Sequence, residues 1–212
     1  MTSPRRALVV IDVQQEYFSG PLEIHYPARE ESLARILSVI DAAQAQRLPI
    51  VIVRHENPVG AAAFARGSAG AELHPHVAAR VCSEWKQITK RYASAFDGTD
   101  LADWCRQQRI DTLTLTGYMA GNCVLATAAS AAPRGLTAEV LSDATGTPHL
   151  ANRLGGISAH HLHRALMILL HSNLAAVTTT QDWMNALEAG TACKKSNLVA
   201  SAAAGEEQEN RE

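Results

Sequence analysis

The run ALVVIDV (residues 7–13) decides the architecture. It is short, rich in branched apolar side chains and bounded by turn signals, which is the pattern of a strand buried on both faces. Similar runs recur along the chain: LPIVIVRH (48–55), the weaker KQITKR (86–91), IDTLTLTG (110–117), LTAEVLSDA (136–144) and LAAVTTT (174–180). Helical patterns lie between them. Leu33, Ile36, Leu37 and Ile40 recur at i, i+3, i+4 and i+7, one face of an amphipathic helix. Leu101, Trp104 and Cys105 share a face behind an N-cap at Thr99 or Asp100. Residues 121–134 and 151–172 predict two further helices, and QDWMNALEAG a last one closed by glycine. Apolar strands alternating with helices form a parallel sheet covered on both faces. The expected fold is therefore a three-layer α/β/α domain, doubly wound and Rossmann-like, with a mostly parallel six-stranded sheet. Ligands belong beyond the carboxyl ends of its strands.

Composition narrows the function. The chain has 212 residues, 47% hydrophobic and 19% charged, enough for one sizeable core. One domain is expected over 1–190, followed by a disordered tail over 191–212 with an acidic end. A formal net charge of −2 gives no electrostatic case for nucleic acid or an anionic membrane. The first apolar stretch, Ala7 to Ile11, is too short for a secretory signal, and no run approaches a membrane span; the expected compartment is the cytoplasm. Cys82, Cys105, Cys123 and Cys193 show neither CxxC nor zinc-finger spacing, so reduced thiols are expected. Cys105 falls on a helix stripe and belongs to the core; Cys193, before the tail, is expected to be exposed. The connection from His55 to Trp85, rich in Ala, Gly, Pro and His, is long for a compact domain and points to a functional loop or lid.

Three residues share the carboxyl edge. Asp12 interrupts the first strand, Lys90 ends the short one, and Cys123 opens the helix after 110–117. Each has a plainer reading: a strand-end cap or salt bridge, a solvated basic patch, a small core residue. Together they make a mechanism. An ammonium and a helix N-terminus favour thiolate. A nearby carboxylate can take the thiol proton and return it to a leaving amine. The glycine-punctuated turn GYMAGNC (117–123) can supply oxyanion donors from its main chain.

VVIDVQQEYF, ITKRYASAFDGTDL and LTGYMAGNCVLATAASAAPRGLTAEVLSDATGT, in this order, resemble the cysteine hydrolases of the isochorismatase-like superfamily across residues 6–185. The resemblance implies Asp12 as general base and acid, Lys90 as the lysine of the triad and Cys123 as nucleophile. It also implies a cis peptide at Tyr118–Met119 and an oxyanion hole made by the Met119 and Cys123 main-chain N–H groups. The family's usual Thr after the cis bond is Ala120 here. Homodimers or larger homo-oligomers are implied as well.

Family members that cleave a vinyl ether typically lack the cysteine, so Cys123 favours C–N hydrolysis of a small amide, carbamoyl or lactam substrate. Nicotinamidases carry an Asp-x-His-x-x-His metal pattern after the second strand; VRHENPVGAAAF lacks it, so neither metal nor other cofactor is expected. His74 and His76 read as a surface pair, and the 160–163 histidines as a solvated helix face. Gln14, Phe18, His55, Asn57, Trp85 and Tyr118 are the candidate substrate contacts. The competing reading is a non-catalytic redox or regulatory module built on a reactive Cys123; charges more than about 6 Å from the sulfur would favour it. Phosphoryl transfer by Asp12 needs an acid two residues on, where Gln14 stands.

Overall fold

The computed structural model describes residues 3–209. Six parallel strands form the central sheet: β1 (Arg6–Ile11), β2 (Ile50–His55), β3 (Lys86–Lys90), β4 (Thr112–Tyr118), β5 (Thr137–Gly146) and, last in the sheet, the strand Ala176–Thr178. Their order is β3-β2-β1-β4-β5 and then Ala176–Thr178. The chain winds outward from β1 in one direction and returns to β4 for the other. The β1/β4 boundary is thus the topological switch point, where the carboxyl ends open a crevice.

β1 shows why the strands are apolar throughout. Ala7, Val9 and Ile11 face one core cluster, Leu8 and Val10 the other, as the two-residue period of a doubly covered strand requires. The long helix α2 (Arg29–Ala45, following the single turn α1, Glu16–Ser19) buries Leu33, Ile36, Val39, Ile40 and Ala43. Val39 and Ala43 extend the expected stripe, while Leu37 sits at its half-buried edge. After the short α3 (Pro75–Ala78), helices α4 (Leu101–Gln107) and α5 (Leu125–Ala131) cover the opposite face.

Gly117 is required at the switch point. Its φ is +101°, and a Cβ there would stand 2.0 Å from the Ile11 carbonyl oxygen. No other residue lets β4 approach the end of β1 so closely.

Four expectations change. The helix expected from residue 151 begins later. An antiparallel hairpin, β6 (Leu150–Asn152) and β7 (Gly155–Ile157), precedes α6 (Ala159–Leu169). Gly155-Gly156 breaks the helical pattern, and Ser158 caps α6 by accepting from the His161 amide. The final strand shrinks to β8 (Ala176–Thr178) and is followed by α7 (Thr180–Glu188). The expected disordered tail instead forms α8 (Leu198–Glu209). Its alanines favour helix, and Asn197 Oδ1 caps it by accepting from the Ala200 amide at 2.9 Å. Residues 210–212 of that tail lie outside the described residues. Cys193, expected to be exposed, is half-buried and its amide donates to Glu139.

Candidate active site

Four strand ends build the site. β1 stops because Asp12 adopts φ 50°, a left-handed conformation that Asp tolerates better than most residues. Its amide still donates to Val53 O, and its side chain turns into the crevice. β4 runs into a cis Tyr118–Met119 bond and a single π turn, Ala120–Val124, that leads into α5. Met119 O accepts from the Asn122 and Val124 amides. Ala120–Val124 carries the Cys123 main chain at the mouth of the crevice. Lys90 ends β3, two strands away from β1, and its side chain crosses the end of β2.

The structure brings Asp12, Lys90 and Cys123 together with exposures of 0%, 1% and 3%. Lys90 Nζ lies 2.7 Å from Asp12 Oδ2 and 3.1 Å from Cys123 Sγ. It also lies 3.2 Å from both His55 Nδ1 and the Tyr92 carbonyl oxygen. Asp12 has charge contact without good hydrogen-bond alignment: neither carboxylate oxygen has a well-directed donor. A buried carboxylate left this way is costly and is open to accept a proton.

Electrostatics set the resting protonation state. Burial raises Asp12 above its ordinary range, with Lys90 opposing. Burial also works against the Lys90 charge, but Asp12 and Cys123 outweigh it and hold the ammonium charged. Burial and then Asp12 push the Cys123 thiol up to about 12. The sulfur rests protonated, and the adjacent carboxylate favours that state against the opposing pull of Lys90.

Asp12, His55 and Cys123 are the one group among the described residues whose carboxylate, imidazole and sulfur atoms cluster within 4.8 Å, close enough to hold a metal ion. The Lys90 ammonium stands among these same atoms. It supplies the positive charge that a cation would bring, which leaves a metal little to add.

The other candidate contacts separate into groups. Trp85 lies at the wrong end of the sheet. It precedes β3 whereas Lys90 ends it, and it packs with the α2-side core beside Leu48 and Ile50. Gln14 is fully committed to the main chain: Nε2 donates to His55 O and Ala71 O, and Oε1 accepts from the His55 amide. It clamps the long connection and has no free donor for substrate. Tyr118 is buried with its hydroxyl on Ser32, so only its main chain reaches the site. Phe18 is a half-buried wall, its ring 5.8 Å from Tyr118 and 4.4 Å from His74. Both ring nitrogens of His55 are engaged, Nδ1 by Lys90 and Nε2 by Asn57. His163, expected on a solvated face, is buried beside Tyr26 and Thr145.

Two residues near the site escaped the sequence analysis. Glu16 is buried and accepts from the Phe64 amide at 3.0 Å, a second clamp on the connection. Tyr17 is buried between Phe64 and Tyr118. Burial, then Asp12 and Cys123, keep its phenol protonated. The adjacent pair Tyr17-Phe18 gave no sign of which ring faces inward.

Comparison with known proteins agrees with this geometry. Residues 6–182 match the Isochorismatase domain model. The chain is 35% identical over 175 residues to the secreted isochorismatase effector Isc1 of Verticillium dahliae, covering 82% of this chain and 88% of that protein. A maleamate amidohydrolase of Pseudomonas putida is 31% identical over 100 residues, 47% of this chain and 42% of that one. The crystal structure of an isochorismatase candidate from Burkholderia xenovorans LB400 superposes with a TM-score of 0.95 at 45% identity, covering 99% of this chain and 100% of that one. With its six-stranded parallel sheet and its cysteine at the switch point, the chain belongs to the isochorismatase family of hydrolases.

Proposed function

We propose that the protein is a metal-independent cysteine amidohydrolase acting on a small amide, carbamoyl or lactam substrate. One observation carries the reading. A buried thiol, a buried ammonium and a buried carboxylate with unpaired oxygens meet at the switch point, Sγ–Nζ 3.1 Å and Nζ–Oδ2 2.7 Å.

Asp12 accepts the Cys123 proton as Sγ attacks the carbonyl carbon. The thiolate character that develops is stabilised by Lys90, and the carbonyl oxygen by the Met119 and Cys123 N–H groups. Asp12 then returns its proton to the departing nitrogen, and a thioester remains on Sγ. Asp12 next takes a proton from water, whose oxygen attacks the thioester. The acid leaves as the proton returns to Sγ. Because the thiol rests protonated, the base must be ionised: activity falls as pH drops through the raised pKa of Asp12.

The name of the maleamate amidohydrolase relative supports C–N hydrolysis over ether cleavage. Both charges lie within about 6 Å of the sulfur, which disfavours the redox-module reading. Charge balance argues against a nucleic-acid partner, and no described helix is long and apolar enough to cross a membrane. A cytoplasmic location is supported by four free thiols, and a homo-oligomer by exposed Leu154, Ile168 and Val199.

A panel of amides, ureido acids and lactams, read by ammonia or amine release, tests the reading. Hydrolysis that Cys123→Ser abolishes and chelators leave intact supports it; hydrolysis by the variant, or loss on chelation, contradicts it.

A further inference from the structure

An ammonium has three N–H donors, yet four acceptors surround Lys90 Nζ: Asp12 Oδ2, Cys123 Sγ, His55 Nδ1 and Tyr92 O. If His55 and the Tyr92 carbonyl each take one donor, a single N–H remains for Asp12 and Cys123. Those are the two groups between which the thiol proton moves. At rest that donor is aligned with Cys123 Sγ and not with Asp12, so it already faces the atom on which negative charge develops.

The direction of the His55 contact is fixed from outside the site. Asn57 Nδ2 donates to Ala63 O at 3.0 Å, so Asn57 Oδ1 is the atom turned toward His55 Nε2, 3.1 Å away. An amide oxygen accepts, so Nε2 carries the imidazole proton. Nδ1 is then bare and faces the ammonium at 3.2 Å. Topology and the Gln14 clamp hold the ring there. His55 and Lys90 are register partners in the β2/β3 ladder, and Gln14 grips the His55 amide and carbonyl.

We propose that His55 is a positioning residue for the Lys90 ammonium and that Asn57, held by the Ala63 carbonyl, keeps its acceptor nitrogen turned toward that ammonium. The inference rests on the thiol-hydrolase reading of the site. It adds that the 55–85 connection, through Ala63 and Asn57, sets the donor geometry of the triad. It also requires a neutral His55, because an imidazolium would point an N–H at the ammonium. The groups facing the ring are Lys90, Asp12 and Cys123 on the site side, Asn57 at Nε2, and the Phe64 ring 5.3 Å away. Burial, then Lys90, hold His55 below its ordinary range.

The test is the rate of Cys123 alkylation by iodoacetamide between about pH 5 and 9, followed by peptide mass with Cys82 and Cys193 as reference thiols. It needs no amide turnover. His55→Leu removes the acceptor, and a weaker hold on the ammonium raises the thiol pKa by about one unit, slowing alkylation about tenfold. His55→Asn, whose side-chain oxygen can accept in place of Nδ1, recovers the rate to within about threefold. Asn57→Asp raises the His55 pKa, so below roughly pH 7 its rate falls more steeply than the steady decline the wild type shows with falling pH. Wild-type or faster alkylation in His55→Leu, no rescue by His55→Asn, or an Asn57→Asp profile superimposed on the wild type overturns the proposal. If His55→Leu fails to fold, the Asn57→Asp profile decides. Altered alkylation without amide hydrolysis refutes the amidohydrolase reading alone; hydrolysis with unaltered alkylation refutes this inference alone.

Discussion

Two ion pairs are buried at opposite ends of the same sheet. At the amino end, Arg6 Nε and Nη2 each lie 2.9 Å from a Glu139 oxygen. Thr114 and the Cys193 amide also donate to Glu139, Arg6 donates to Thr191 O, and Trp183 donates to Thr114. Burial works against the Glu139 charge, yet Arg6 outweighs it and the carboxyl is held below its ordinary range. At the carboxyl end the Asp12 carboxyl has Lys90 at 2.7 Å, no well-aligned donor and a raised pKa. Burial and ion pairing are alike at the two ends; hydrogen-bond satisfaction differs. The satisfied pair fastens the segment after α7 to the sheet, while the unsatisfied pair keeps a base able to take a proton.

The sharpest way to break this contrast is at the thiol itself. Cys123→Ala should lower amide hydrolysis by on the order of 10⁴-fold or more while leaving the melting temperature nearly unchanged. The two carboxylates should then part company. Glu139→Gln should cost about 3–5 kcal/mol in denaturant unfolding and leave turnover per folded molecule intact. Asp12→Asn should lower kcat by on the order of 10³-fold with a smaller loss of stability. Equal stability losses would erase the distinction between the pairs.

A further buried ionisable group, His163, sharpens the comparison through pH. Burial lowers it from 6.5 to about 4. Below pH 6.5 the unfolded chain binds the proton first. Stability is therefore full above 6.5 and is lost as pH falls toward 4, by on the order of 3 kcal/mol. His163→Phe should flatten that part of the stability profile. The smallest effect belongs to Tyr17→Phe. Removing a buried hydroxyl from the ring that packs between Phe64 and Tyr118 should reduce kcat about three- to tenfold with little change in melting temperature.

The strands were legible because both faces of each are buried, so the apolar run alone identifies them. Asp12, Lys90 and Cys123 were legible as residues closing or following such runs at one edge, and the family resemblance supplied the roles proposed for them. Trp85 was misplaced because adjacency in sequence to a strand does not say which end a residue occupies. Four steps of about 3.3 Å along β3 separate Lys86 from Lys90, and Trp85 lies beyond the far end. Gln14 has the chemistry of a substrate contact, but its amide is consumed by the main chain of a loop whose course composition does not fix. The 150–157 hairpin was hidden because its exposed residues carry no burial pattern. Tyr17 was hidden because two adjacent aromatics on one short turn give no signal of which ring faces in.

The thioester is the most direct test of the account. A substrate found to turn over should be mixed with enzyme, quenched in acid within a turnover and weighed intact. The account predicts added mass equal to the acyl group in place of one hydrogen, mapped to the peptide carrying Cys123 and absent from Cys123→Ser. Steady turnover with no adduct at any quench time, persisting in Cys123→Ser, would contradict it.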